Sequence, residues 1–198
     1  MRRVLQNEIK DWWVEQHVNN IRLYLTGSSS KQVTDFLEIS LFESNILNVG
    51  IGTGRCTHGF FEAGNNVFVL DICEEAVRKV KDCIVTAYLS PKAIESNIFD
   101  FVISHLVVQH MSDDVLLEHL INYLRAIKKD GIIAVQFADC EGAPRDQSIG
   151  AQEGGGVLRS KEEMIKIINE ADGKVIKWIG PRRFSHTPAI WYGVHIGR

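Results

Sequence analysis

A doubly wound α/β fold on a mostly parallel sheet is predicted by three observations. Short apolar runs with strand character alternate with helical patterns along most of the chain, the rhythm of strand–helix–strand units. One such run, Ile46-Leu47-Asn48-Val49, leads directly into Gly50-Ile51-Gly52-Thr53-Gly54-Arg55 and then into a helical stretch. Another, Val67-Phe68-Val69-Leu70, ends on Asp71, twenty-one residues after Gly50. Glycines at every second position permit positive φ and let the backbone approach a ligand closely, where a Cβ would obstruct it. An acid about twenty residues further on is placed to accept bonds from ribose hydroxyls. Glycines alone also serve as turn punctuation. Strand, turn, helix and acid together point to a nucleoside-containing ligand.

In chain order, residues 4–25 read as an amphipathic helix, with Leu5, Ile9, Trp12 and Trp13 near helical spacing and Thr26-Gly27 closing it. The Ser28-Ser29-Ser30 joint is too short to separate domains, and Lys31 to Ile39 reads as a second helix. After the glycine turn, Thr57 to Ala63 forms a helix stopped by Gly64-Asn65-Asn66. Glu74 to Val80 follows as a helix whose acidic start and basic end suit its dipole. Cys83 to Tyr88 has the β-branched content of a third strand, and Phe99 to Ser104 is a fourth. A helix over Asp113 to Lys129 leads to a fifth strand at Gly131 to Phe137. The irregular, glycine-rich segment Ala138 to Arg159 reads as a lid, binding loop or disordered stretch. Ser160-Lys161-Glu162-Glu163 is a capping box that opens a helix through Asp172, and Gly173 closes it. Lys174 to Ile179 and Ala189 to Ile196 supply two last strands, seven in all.

Composition bounds the alternatives. A chain of 198 residues is sized for one domain, and 45% hydrophobic with 24% charged residues is ordinary globular usage. A net charge of −3 offers no basic field for nucleic acid. No run of eighteen apolar residues and no apolar signal core at the start lead us to expect a cytoplasmic protein that neither spans nor anchors in a membrane. Cys56, Cys73, Cys83 and Cys140 form no Cys-x-x-Cys pair, so neither zinc nor a disulfide framework is expected. No Gly-x-x-x-x-Gly-Lys-[Ser/Thr] occurs, which excludes an NTPase P-loop, and the third glycine comes one residue early for a dinucleotide site.

The stretch from Asn48 to Gly54 resembles motif I of the class I S-adenosylmethionine-dependent methyltransferases, [Asp/Glu]-x-Gly-x-Gly-x-Gly, over a region running from about residue 40 to the C-terminus. Asn48 stands where the family carries Asp or Glu. The resemblance implies a seven-stranded sheet with an antiparallel last strand. It also implies an N-terminal helical lid over residues 1–40 and a Rossmann-like core over residues 41–198. As cofactor residues it implies Asn48, Gly50, Gly52, Thr53 and Gly54 in the turn, Asp71 with its neighbour Ile72, and Ser104 at the end of strand four. Family members often follow strand three with an acid for the adenine amine; here Tyr88-Leu89 stand instead, so backbone groups there are the expectation. The implied cofactor is S-adenosylmethionine, released as S-adenosylhomocysteine.

Ligands on such sheets bind beyond the carboxyl ends of the strands. His105 and His110 follow strand four, where a neutral imidazole can take a hydroxyl proton. His105 reads either as a base or as pocket wall, and His110 either as a catalytic group or as a fastening for the loop. A zinc site at His105, His110 and His119 lacks the ligand spacing and is not expected. Trp13, Arg145 and Arg182 are candidate substrate contacts, each also readable as packing or as a solvated surface group. No Asn/Asp-Pro-Pro-Tyr follows strand four and no Asp-Asn follows Asp139, so neither the amino-group DNA methyltransferase nor the metal-dependent catechol type is matched. The expectation is methylation of a small molecule, on oxygen, in a sugar or other hydroxylated metabolite, by a monomer or homodimer. The competing expectation is a catalytically silent protein of the same fold that acts through a protein partner.

Overall fold

The computed structural model describes residues 11, 13–15, 28–139, 157–183 and 189–198. The N-terminal helix is therefore seen only at positions 11 and 13–15, all helical; Trp12, His17, Cys140 and Arg145 lie outside the described residues. The ordered elements are α1 (Ser30–Leu37), β1 (Asn45–Val49), α2 (Arg55–Glu62), β2 (Asn66–Leu70), α3 (Glu74–Arg78), β3 (Thr86–Tyr88), β4 (Phe99–Ser104), α4 (Asp113–Ala126), β5 (Ile127–Asp139), α5 (Lys161–Glu170), β6 (Lys174–Arg183) and β7 (Ile190–Gly197).

Seven strands form one sheet in the order β3-β2-β1-β4-β5-β7-β6. Strands β1 to β5 run parallel, and β7 inserts antiparallel between β5 and β6. The order reverses direction at β1, between β2 and β4, which is where a doubly wound sheet opens a crevice at its carboxyl end. The glycine turn sits there.

Both faces of the sheet are covered because successive side chains of a strand point to opposite sides. Leu47, Val102, Ile133 and Phe137 pack against Leu116, Leu120 and Tyr123 of α4 and Met164 and Ile168 of α5. On the other face, Ile46, Val67, Ile103 and Ala134 meet Val33, Phe36 and Leu37 of α1, Phe60 of α2 and Ala76 of α3. Burial of a side chain of this size stabilises by about 1.5–3 kcal/mol.

Three boundaries differ from the sequence reading. Strand three is shorter, Thr86–Tyr88, because Lys81–Cys83 winds into a 3₁₀ turn. Helix α4 stops at Ala126 rather than Lys129, since Ile127 turns to extended backbone and pairs with Phe99. Pairing resumes at Phe101↔Ile132, so Lys128-Lys129-Asp130-Gly131 is absorbed as a bulge in β5. Strand six runs on past Ile179 to Arg183 through a register shift. Helices α1 and α5 begin as their sequences imply, with complete capping boxes at Ser29/Gln32 and Ser160/Glu163. No helix among the described residues is long and apolar enough to cross a membrane.

Candidate functional site

The glycine turn is built by its own backbone. Gly50 at φ +74° donates its N–H to the Leu70 carbonyl at 2.8 Å, and Gly54 at φ +85° donates to Ile51 O at 2.9 Å. A Cβ on Gly50 would run into the Val107 side chain, so the loop after β4 packs directly on the turn. Gly52, at φ +56°, has nothing within 4 Å of where its Cβ would be. The turn therefore presents bare backbone to open space at the one position facing away from the protein.

Asp71 fastens this turn to the end of β2. One carboxylate oxygen accepts from the Ile51 N–H at 2.8 Å and the other from the Cys73 N–H at 2.9 Å. Burial pushes its carboxyl up, against the lowering effect of backbone donors at Ile51, Cys73 and Ile72. A carboxylate offers about four lone-pair sites, so acceptor capacity remains for ribose hydroxyls. Replacing Asp71 with Ala is expected to weaken S-adenosylhomocysteine binding by about 1–3 kcal/mol, the cost of deleting one buried polar partner. Calorimetry reads this directly, and unchanged affinity would remove Asp71 from the site.

Other expected cofactor residues are placed unevenly. Asn48 is buried and donates its side-chain amide to the Thr57 hydroxyl at 2.8 Å, tying β1 to α2. The Tyr88 carbonyl accepts the Asp71 N–H at 3.1 Å, and its ring lies in the core, while Leu89 is exposed. Ser104 stands opposite Val49 in the β1–β4 register, and its hydroxyl is buried with no hydrogen-bond partner among the described residues. An orphaned hydroxyl at the strand end and open space before Gly52 fit a bound polar ligand at this crevice.

The segment after β4 carries both histidines. Leu106 adopts φ +59° and donates its N–H to Gln136 Oε1 at 2.9 Å, so buried Gln136 of β5 anchors the bend beside His105. The His105 ring meets Phe36 edge-on at 5.8 Å, and the His110 ring meets Trp13 edge-on at 5.0 Å. Burial lowers both imidazoles to about 4, so each is neutral near pH 7. Trp13 is thus brought next to His110.

Arg182 is otherwise engaged. Its guanidinium lies 4.9 Å over the Phe36 ring, donates to the Asp35 carbonyl at 3.1 Å and stands 3.8 Å from Glu38. It closes the end of α1, and through Phe36 it backs the wall on which His105 rests. His119 is not part of the site: it is buried on α4 with Nδ1 2.7 Å from the Tyr123 hydroxyl, and burial lowers it to about 4. Among the described residues no three His, Cys, Asp or Glu cluster as a metal site requires.

Two residues escaped the sequence reading: Gln136, inside the fifth strand, and Arg159, at the end of the irregular segment, were not singled out. Arg159 is 1% exposed. Its Nε donates to Asp113 at 2.8 Å, Nη1 to the Val108 carbonyl at 2.9 Å and Nη2 to the Met111 carbonyl at 2.5 Å. No local pattern marks either residue, because their partners lie 30 to 51 positions away.

Residues 47–135 match a family model described as a methyltransferase domain. No curated protein matches the chain. Among solved structures, the chain is similar to the 1,6-didemethyltoxoflavin-N1-methyltransferase of Burkholderia thailandensis, bound to its substrate and S-adenosylhomocysteine. The TM-score is 0.72 at 13% identity, over 95% of this chain and 86% of that one. It is also similar to the magnesium protoporphyrin IX methyltransferase of Synechocystis PCC 6803 with bound S-adenosylhomocysteine, with a TM-score of 0.69 at 14% identity over 97% and 98%. The [4+2]-cyclase SpnF matches with a TM-score of 0.66 at 13% identity over 84% and 78%.

Proposed function

We propose that this chain, which shares the fold of class I S-adenosylmethionine-dependent methyltransferases and matches a methyltransferase-domain model over residues 47–135, transfers a methyl group from S-adenosylmethionine to a small hydroxylated molecule. The observation that carries this is the turn itself: bare backbone at Gly52 beside a carboxylate that the turn's Ile51 N–H holds in place. When bound, S-adenosylmethionine supplies an electrophilic methyl carbon on a sulfonium. Gly50, Gly52, Thr53 and Gly54 would hold it with Asp71, Ile72, the Tyr88-Leu89 backbone and Ser104.

The chain's remaining task is on the acceptor side. A neutral imidazole with its titration pushed down to about 4 keeps a free lone pair throughout the physiological range. His105, seated on Phe36, takes the acceptor hydroxyl's proton at a ring nitrogen, while Trp13 and His110 bound the pocket and keep water out. General bases of this kind contribute about 10²–10⁴-fold. His105→Ala is therefore expected to lower turnover about 100-fold with cofactor affinity unchanged. Undiminished turnover in that variant would assign His105 to the pocket wall. The rate per folded molecule should stay flat from pH 7 down to about 5, because the base protonates only near 4.

The reading is tested first by calorimetric titration with S-adenosylmethionine, S-adenosylhomocysteine and NAD in parallel. Micromolar binding of the two sulfur nucleosides and none of NAD supports it, and hydroxylated metabolites are then screened for product. The second reading, a silent protein acting through a protein partner, is favoured by Asn48, whose amide is directed at Thr57 where the family carries an acid. Cofactor binding without product from any acceptor, together with capture of a defined protein partner, would support it.

A further inference from the structure

Residues 157–159 are stitched to residues 108–113 by four hydrogen bonds. Val157 donates its N–H to the Gln109 carbonyl at 2.5 Å, and the Arg159 guanidinium supplies the other three, to Val108 O, Met111 O and the Asp113 carboxylate. These acceptors bracket His110 on both sides. Val108–His110 is a single 3₁₀ turn, closed by the His110 N–H donating to Val107 O at 2.8 Å. The strap is itself anchored: the Arg159 N–H donates to Ala138 O at the end of β5, and Lys161 lies over Tyr192 at 4.5 Å.

We propose that Arg159 is a positioning residue for His110, a buried guanidinium that holds the acceptor-side turn in register with the end of β5. An arginine suits the place because its planar fork reaches several acceptors at once, which a lysine ammonium on a flexible stem does not. Its burial is tolerated because the charge meets Asp113 and two carbonyls; removal of the guanidinium takes its bond from Met111 O and leaves Val108 O with only the Met111 N–H at 3.2 Å. The inference rests on the methyltransferase reading only for what the turn is used for. The clamp stands on its own geometry.

Native protein, Arg159→Met and Arg159→Lys are compared by NMR hydrogen exchange at the His110 amide and by the His110 ring resonances, which the Trp13 ring current displaces. S-adenosylhomocysteine titration accompanies each. A Met164→Ala core variant serves as a control for general destabilisation. Arg159→Met is expected to speed His110 exchange at least about tenfold and to move its ring resonances toward free-histidine positions. Arg159→Lys should be intermediate, and Met164→Ala should leave the ring resonances in place. Folded Arg159→Met with native His110 exchange and resonances would overturn the proposal. Should Arg159→Met not fold, Asp113→Asn, which removes the partner's charge at a half-exposed carboxylate, decides: a smaller shift in the same direction supports the clamp, and none overturns it. Failure of the native protein to bind S-adenosylhomocysteine would count against the methyltransferase reading and leave the clamp to be judged by His110 alone.

Discussion

The protein is expected to lose stability steeply between pH 6.5 and pH 4, well before its carboxylates are neutralised. His105, His110 and His119 are all lowered from 6.5 to about 4 by burial. A group whose folded value is depressed contributes stability that is complete above its unfolded value and is lost as pH falls through the folded one. For buried His119, holding the ring neutral down to about 4 amounts to about 3 kcal/mol. His105 and His110 add smaller amounts because their rings are only partly buried. His195, also lowered by burial, acts in the same direction. Asp71 opposes them: its raised carboxyl favours the folded state at low pH and disfavours it as pH rises through its folded value. Against a total stability of about 5–15 kcal/mol, the His119 contribution alone is a substantial fraction. Thermal melts from pH 7.5 to pH 4 would read the effect, and His119→Phe should flatten the slope. A melting temperature that stays level over that range would mean that the three rings take up protons without unfolding the chain.

Gly52→Val is expected to eliminate useful cofactor binding while leaving a folded protein. At φ +56° a β-branched residue is strained by about 1–3 kcal/mol. The added side chain meets no protein atom, so the fold has no other reason to fail. Its volume falls instead in the space in front of the turn, where overpacking costs about 1–3 kcal/mol more. The strain lowers stability in free and bound protein alike, and the overpacking, at its upper end, predicts a loss of affinity for S-adenosylhomocysteine on the order of 100-fold, at about 1.4 kcal/mol per tenfold. Calorimetry on a variant that still melts cooperatively is the measurement. Affinity within threefold of native would place the cofactor elsewhere. Gly50→Val is the contrasting case, since its side chain collides with Val107 and should cost stability first.

What was legible in the sequence was whatever local spacing dictates. The glycine turn, Asp71 at the end of β2 and the alternation of strands and helices each depend on residues close in the chain, and each is found in place. The capping box of α5 is of the same kind, whereas the one at Ser29 and Gln32 of α1 lay unread in the serine joint. What was not legible depends on partners distant in sequence. Arg159 and Gln136 acquire their roles only when β5 and the segment after it are laid beside the end of β4. The length of β3 was overread because β-branched Ile84 and Val85 promise a strand, whereas pairing with β2 begins only at Phe68↔Thr86. Arg182, a candidate substrate contact from its residue type, is met by a carbonyl, a carboxylate and a ring supplied by α1 and the residue that ends it, partners that no local pattern announces.

The order of the sheet also decides how the protein behaves in a crowd. An open sheet exposes a row of backbone donors and acceptors along each margin, an invitation to join a neighbour's strand. Here one margin, β3, is three residues long and gives a visiting chain little to grip. The other, β6, is ten residues long, yet it is interrupted by two register shifts and carries Lys174, Lys177, Pro181, Arg182 and Arg183. Charge, proline and broken register are what keep an edge from templating another copy. Removal of the lysines and the proline together would turn β6 into the place where aggregation starts.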